Sequence, residues 1–270
     1  MTTIRRYHAN VRNVTGCSTF TCRVSTIAEY DGYGEYDALG STNALADLNA
    51  DGLADMVSAA YNAVSKGRVV IVNGGATGTV SELDADALIL QDGREAIDLG
   101  ESIAHGDSDG DGTEDLFLSA DGANFGAGSL GAVYVLPGPV EGERSLPDGT
   151  TRVTRTGGGY LGNSIAVSDA DGDGRADLLA GEPTALGPAG YAVGAAALAL
   201  GPFEGTVDLA FTPPFRYFLS DSALSFPGSS VALTDLDGDN LADVVIGAPQ
   251  DDVATIDGGA IYLFYSSGWD

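Results

Sequence analysis

One acidic segment recurs four times along this chain. It reads DLNADGLADMV from Asp47, DSDGDGTEDLF from Asp107, DADGDGRADLL from Asp169 and DLDGDNLADVV from Asp235. Successive first aspartates are 60, 62 and 66 residues apart. The likeness extends on both sides. Upstream lie LGSTNA, LGESIA, LGNSIA and PGSSVA; downstream come VSAAY, LFLSAD, LLAGEP and VVIGAP, then GRVVIV, GAVYVL, GAAALAL and GAIYLF. A period of this size means an array of like supersecondary units, each burying its apolar faces on its neighbours.

Every unit reads as short strands. Residues 164–168 alternate, Asp177 opens an apolar run, and residues 191–200 form another. A fourth short strand is expected over 87–91, 151–155 and 215–220, ahead of the next Leu/Pro-Gly. Clusters of Gly, Pro and Asp separate the strands, and no 3.6-residue periodicity persists. The fold class is therefore all-β: a β-propeller of four blades with four antiparallel strands each. The blades are expected near 39–91, 99–155, 161–220 and 227–265. The last blade runs out of chain before its outer strand, so Arg23–Ala28 is expected to supply it and lock the ring. Residues 1–22 are then an N-terminal extension or extra hairpin, with Cys17 and Cys22 close enough for a local disulfide or a free pair.

Acids at every second position of the recurring segment are hard oxygen ligands, the preference of calcium. An EF-hand needs a bidentate glutamate at loop position twelve, where this chain has Ser58, Leu118, Ala180 and Ile246. What recurs instead is aspartate at position nine. The segment is thus a nine-residue strand-to-strand turn, with side chains at positions one, three, five and nine and the carbonyl at seven as ligands. The candidate sets are Asp47, Asn49, Asp51, Leu53 and Asp55; Asp107, Asp109, Asp111, Thr113 and Asp115; Asp169, Asp171, Asp173, Arg175 and Asp177; and Asp235, Asp237, Asp239, Leu241 and Asp243. About four Ca²⁺ ions, one per blade, are expected, with weaker binding where Asn49 replaces a carboxylate. Position six, Gly174 or Asn240, is expected to take a left-handed backbone.

YLGNSIAVSDADGDGRADLLAGEP and FPGSSVALTDLDGDNLADVVIGAP resemble the FG-GAP repeats of integrin α-subunit β-propellers. The resemblance implies calcium in the hairpin loop between the first two strands of a blade, with partners bound on the opposite face. Integrin propellers have seven blades and only some carry the loop; here four units all carry it. Partner loops are accordingly expected at 73–85, 137–149, 181–190 and 201–214.

Composition narrows the function. Thirty-nine acids against twelve bases give a net charge of −27, which repels nucleic-acid phosphates and anionic lipid. No apolar run approaches the roughly 20 residues of a membrane span, and residues 1–11 lack the apolar core of a secretory signal. Catalysis is not expected. Ser102, Ser164 and Ser230 recur in register with the repeat, outside the strand-to-helix turn of a nucleophile elbow. Only His8 and His105 could serve as bases, and His105 reads as a strand-end residue near the second loop. Tyr30, Tyr33 and Tyr36 read as loop packing, or else as an exposed aromatic patch. The expected function is a calcium-stabilised extracellular or cell-surface adhesion or protein-binding module, monomeric, with an unidentified protein or glycan ligand. The alternatives are a lectin, for which no repeated Trp or Tyr is visible beside the single Trp269, and a purely structural repeat assembling through blade edges.

Overall fold

The computed structural model describes residues 8–18, 21–31, 38–61, 67–81, 85–91, 98–124, 130–146, 151–211, 215–219, 225–252 and 257–266. These residues are all-β, in several sheets, an arrangement consistent with a β-propeller. A hairpin, β1 (His8–Ser18) and β2 (Thr21–Asp31), precedes the repeats. The first repeat forms β3 (Thr42–Ala46), β4 (Asp55–Ala60), β5 (Arg68–Val72), β6 (Gly78–Ser81) and β7 (Ala87–Gln91). The second forms β8 (Leu99–Gly106), β9 (Asp115–Asn124), β10 (Leu130–Leu136), β11 (Gly142–Leu146) and β12 (Thr151–Thr154). The third forms β13 (Ile165–Ser168), β14 (Asp177–Glu182), β15 (Ala195–Ala199), β16 (Thr206–Asp208) and β17 (Phe215–Leu219). The fourth has β18 (Ser230–Thr234), β19 (Asp243–Ala248) and β20 (Ala260–Phe264).

Within each repeat the first, second and third long strands pair antiparallel, and in three repeats a fourth joins them: β3-β4-β5-β7, β8-β9-β10-β12 and β13-β14-β15-β17. The expectation of four strands per sheet misses a fifth. The connector after β10 contributes β11, which lies parallel on β7 of the preceding repeat, Gly142 opposite Ala87. The connector after β15 likewise lays β16 on β12, and the connector after β5 lays β6 on β2. The first three repeats thereby each cover the outer edge of the sheet before them, an edge that would otherwise be a template for aggregation.

Two expectations are corrected by this topology. Arg23–Ala28 does not complete the last sheet: it lies in β2, which pairs with β1 on one side and, from Ala28 to Asp31, with β6 on the other, and not with β20. The sheet β18-β19-β20 keeps three strands. The connectors 73–85, 137–149 and 201–214 are not on the face opposite the acidic loops. In an antiparallel sheet the turn after the third strand returns to the same edge as the turn after the first, and Gly74, Gly138 and Gly201 donate backbone N–H groups into the acidic loops themselves. Of the four expected partner loops only 181–190 leaves from the other edge.

The leading strands stand side by side, β3 beside β8, β8 beside β13, and β13 beside β18. Both faces of the middle sheets are apolar, which explains the unbroken hydrophobic runs. Leu116, Leu118 and Tyr134 pack back against Val57, Val69 and Ile71, while Phe117, Val133 and Val135 pack forward against Leu178 and Ala180. Leu179, Ala196 and Leu198 then meet Val244 and Ile246 of the fourth sheet. The sheets approach closely at fixed points. Gly131 has φ 90°, and a Cβ there would overlap the backbone of Leu161, the first residue of the next Leu-Gly turn.

Candidate metal centres

Each acidic segment is the tight turn between the first two strands of a sheet, and its carboxylates are occupied as backbone caps. In the third loop Asp169 accepts N–H groups from Gly172 at 2.7 Å and Gly174 at 2.9 Å, and Asp173 accepts that of Arg175 at 2.9 Å. Asp171 accepts the N–H of Asp173 at 3.1 Å. The second and fourth loops repeat this pattern through Asp107, Asp109 and Asp111 and through Asp235, Asp237 and Asp239. Leu53, Thr113, Arg175 and Leu241 at position seven all donate to the position-five carboxylate. Position six is left-handed as expected, and so is position four: Ala50, Gly110, Gly172 and Gly238 have φ between 58° and 87°. The small residue at position four in every copy was the visible sign of this.

Position nine has a second task that the spacing does not reveal. Asp55, Asp115, Asp177 and Asp243 are buried, and each accepts two backbone N–H groups. One comes from loop position two: Leu48, Ser108, Ala170 and Leu236, at 2.8 to 3.0 Å. The other comes from the turn after the third strand: Gly74, Gly138, Gly201 and Ser266, also at 2.8 to 3.0 Å. This aspartate therefore ties two turns of one sheet together. Burial, with Asp171 and Asp169 nearby, pushes Asp177 up to about 6 despite the N–H groups of Gly201 and Ala170. The N–H groups of Gly238 and Asn240 hold Asp235 below the usual carboxylate range.

Among the described residues, three loops bring carboxylate oxygens within 4.8 Å of one another: Asp107, Asp109 and Asp115; Asp169, Asp171 and Asp177; and Asp235, Asp237 and Asp239. Positions one and three meet in all three, joined by position nine in the second and third loops and by position five in the fourth. Asp111, Asp173 and Asp243 stand outside those trios. The first loop assembles no acidic trio, because Asn49 occupies position three; its Nδ2 donates to Asp51 at 3.3 Å. An all-oxygen set at an accessible turn, with like charges converging on one point, fits a hard divalent cation of the calcium type.

The loops are also linked to one another. Ala176 donates its N–H to the Asp107 carbonyl at 2.7 Å, and Ala242 donates to that of Asp169 at 2.8 Å. Between the first two loops Glu114 takes over, accepting the N–H of Asp47 at 2.8 Å while its other oxygen lies 3.1 Å from His105 Nδ1. His105 thus sits beside the acidic string, on β8. Ser102 and Ser164 accept the N–H groups of Ile165 and Val231 in the next repeat, at 3.3 and 3.1 Å. A buried cluster that the sequence did not flag lies between the second and third sheets. Glu182 is fully buried and accepts from Arg155 twice at 3.1 Å, from Gly159 N–H and from the Tyr217 hydroxyl at 2.7 Å. Arg155 stacks 4.3 Å from the Tyr217 ring centre. Tyr33, Tyr36 and Trp269 lie outside the described residues, as do the side chains of His8, Cys17, Cys22 and Tyr30.

Comparison with known proteins finds this pattern elsewhere. The FG-GAP repeat model matches residues 99–136 and 227–264, each spanning one acidic loop. The chain is 34% identical over 152 residues to phosphatidylinositol-glycan-specific phospholipase D of Mus musculus, covering 52% of this chain and 18% of that protein. It is 32% identical over 175 residues to integrin alpha-PS2 of Drosophila melanogaster, covering 63% of this chain and 12% of that protein. The chain therefore spans less than a fifth of the length of either relative.

Proposed function

We propose that this chain, which matches the FG-GAP repeat over residues 99–136 and 227–264, is a calcium-stabilised β-propeller of four blades serving as an extracellular protein-binding or adhesion module. The observation that carries the calcium reading is the repeated carboxylate trio at one place in each of three sheets. The second, third and fourth loops are the tighter sites, held by Asp107, Asp109 and Asp115, by Asp169, Asp171 and Asp177, and by Asp235, Asp237 and Asp239. The first, with Asn49, is weaker. A bound divalent ion supplies two positive charges where like carboxylates converge. The chain's own part is to pre-form the turn: positions one, five and nine hold it by backbone N–H groups, so little ordering remains when the ion arrives.

The ion's role is structural. A clamp joining the first turn of a sheet to the turn after its third strand stiffens the edge from which the connectors leave. The similarity to integrin alpha-PS2 and the net charge of −27 favour a cell-surface setting with a basic or neutral ligand over nucleic acid or anionic lipid. Partner binding falls to 181–190, where Leu186 is exposed on the edge away from the acidic loops, with exposed Tyr191 just after it. No catalytic role is assigned, since Ser102 and Ser164 are spent on contacts between repeats. Calorimetric titration of metal-free protein with Ca²⁺ tests the reading: several ions should bind and the melting temperature should rise. Absence of both would end the proposal.

A further inference from the structure

Neighbouring acidic loops touch, and what each lays on the loop before it differs. Position eight of the third and fourth loops donates its N–H to the position-one carbonyl of the preceding loop, Ala176 to Asp107 and Ala242 to Asp169. The residue just before, at position seven, is thereby carried over the preceding turn. A Cβ on Gly172, position four of the third loop, would lie 2.8 Å from Cδ2 of Leu241. A Cβ on Gly110, position four of the second, would lie 3.4 Å from Nε of Arg175 and 3.7 Å from its Cγ. One on Gly238 in the fourth loop would meet nothing within 4 Å.

Arg175 is the one basic residue in the four nine-residue loops. Its backbone belongs to the third loop, where its N–H is held by Asp173 at 2.9 Å. Its guanidinium is only loosely engaged there: Nη1 stands 4.0 Å from Asp173 Oδ2, and both side chains are 39% exposed. The stem instead crosses Gly110, the residue between Asp109 and Asp111, whose N–H is capped by Asp107 at 2.7 Å. The second loop therefore has a tethered cation beside its carboxylates. The third, whose trio occupies the same positions one, three and nine, has a hydrocarbon there.

We propose, on the basis of the calcium reading of these loops, that Arg175 sets the affinity of the second site: a resident positive charge that stabilises the empty loop and opposes the entering divalent ion. Coulomb's law gives both signs. A positive charge beside three carboxylates relieves part of their repulsion without metal, and the same charge repels the doubly charged ion. The side chain lies at the solvent boundary, so the effect is modest and screened by salt. It removes no ligand from either loop, because position seven offers only its backbone carbonyl. Two sites with like donors thus acquire different thresholds, and the third fills before the second.

Backbone amide NMR of the full chain, at free Ca²⁺ fixed by a chelator buffer, reads the two loops separately through Gly112 and Gly174. At about 10 mM salt the second loop should half-fill at about fivefold higher Ca²⁺ than the third. Arg175→Met keeps a stem over Gly110 and drops the charge. It should lower the Gly112 midpoint about fivefold and the Gly174 midpoint by less than about twofold. Arg175→Lys should hold the unmodified midpoints, and about 1 M salt should erase the effect of Arg175→Met. Without metal, Arg175→Met should speed hydrogen exchange at Gly112 about fivefold over Arg175→Lys at low salt. Loops that titrate without these shifts, or a Gly174 midpoint that moves as far as that of Gly112, overturn the proposal alone. Loops that never titrate with Ca²⁺ overturn the calcium reading and the proposal together.

Discussion

The first and third acidic loops share a backbone and differ in chemistry. Gly52 and Gly174 donate to their position-one aspartates at the same 2.9 Å, and Asp55 and Asp177 clamp the same pair of turns within 0.2 Å. Yet Asp169, Asp171 and Asp177 crowd together, whereas Asn49 removes one charge and donates an amide N–H to Asp51. The turn is therefore shaped by hydrogen bonds at positions one, three, five and nine, which an amide at position three serves as well as a carboxylate. The need for a cation is set at position three. In the first loop an amide does part of what the ion is proposed to do in the third.

Breaking the shared clamp should have the largest effect. Asp55→Ala and Asp177→Ala each strand two backbone donors, and each should cost about 3 kcal/mol in urea unfolding with chelator present. In calcium, Asp177→Ala should cost more still, while Asp55→Ala changes little. Equal costs in both conditions would dissolve the distinction between the loops. Chelation of the unmodified protein comes next: with free Ca²⁺ at about 100 times its Kd, removal should cost about 2.7 kcal/mol per site. Hydrogen exchange should locate the loss, accelerating at Gly174 and Arg175 more than at Gly52 and Leu53.

The pH dependence sharpens the contrast through Asp177. Its folded pKa is raised to about 6, above the ordinary value of 3.8. In metal-free protein its protonated form stabilises the fold below the unfolded pKa, and that contribution is lost as pH rises through about 6. Stability of metal-free protein should thus fall between about pH 4 and pH 6 at this site, and Asp177→Asn should flatten the slope. With Ca²⁺ the slope should reverse, because the ion binds the ionised carboxylate.

Smaller effects are expected from exchanging the loops' distinguishing residues. Asn49→Asp should complete a fourth trio and tighten the first site about tenfold, read as an added strong site by calorimetry; one carboxylate is worth roughly 1.4 kcal/mol here. Ala50 takes φ 58° where the other loops have glycine. Ala50→Gly should therefore stabilise by about 1 kcal/mol, and Gly172→Ala should destabilise by about as much. A neutral Ala50→Gly would mean the first loop relaxes around that strain.

Local structure was legible because it is written locally. Alternation and apolar runs marked the strands, and D-x-[DN]-x-D-[GN]-x-x-D marked a strand-to-strand turn, since an acid's spacing and a glycine's backbone freedom act within nine residues. Tertiary structure decided what crosses between repeats. β11 and β16 read as connectors because GERSL and TVD lack apolar alternation; their place comes from main-chain bonds to an edge about 55 residues away. Only in three dimensions does position nine reach the turn after the third strand, or Ala176 reach Asp107. The placement of Arg23–Ala28 turned on which strand it pairs with, which no strand carries in its own residues: β2 joins β1 and β6, and not β20. The repeat determined the unit and its acidic turn; the assembled sheets determined which edges and faces each unit shares and which the last one leaves bare.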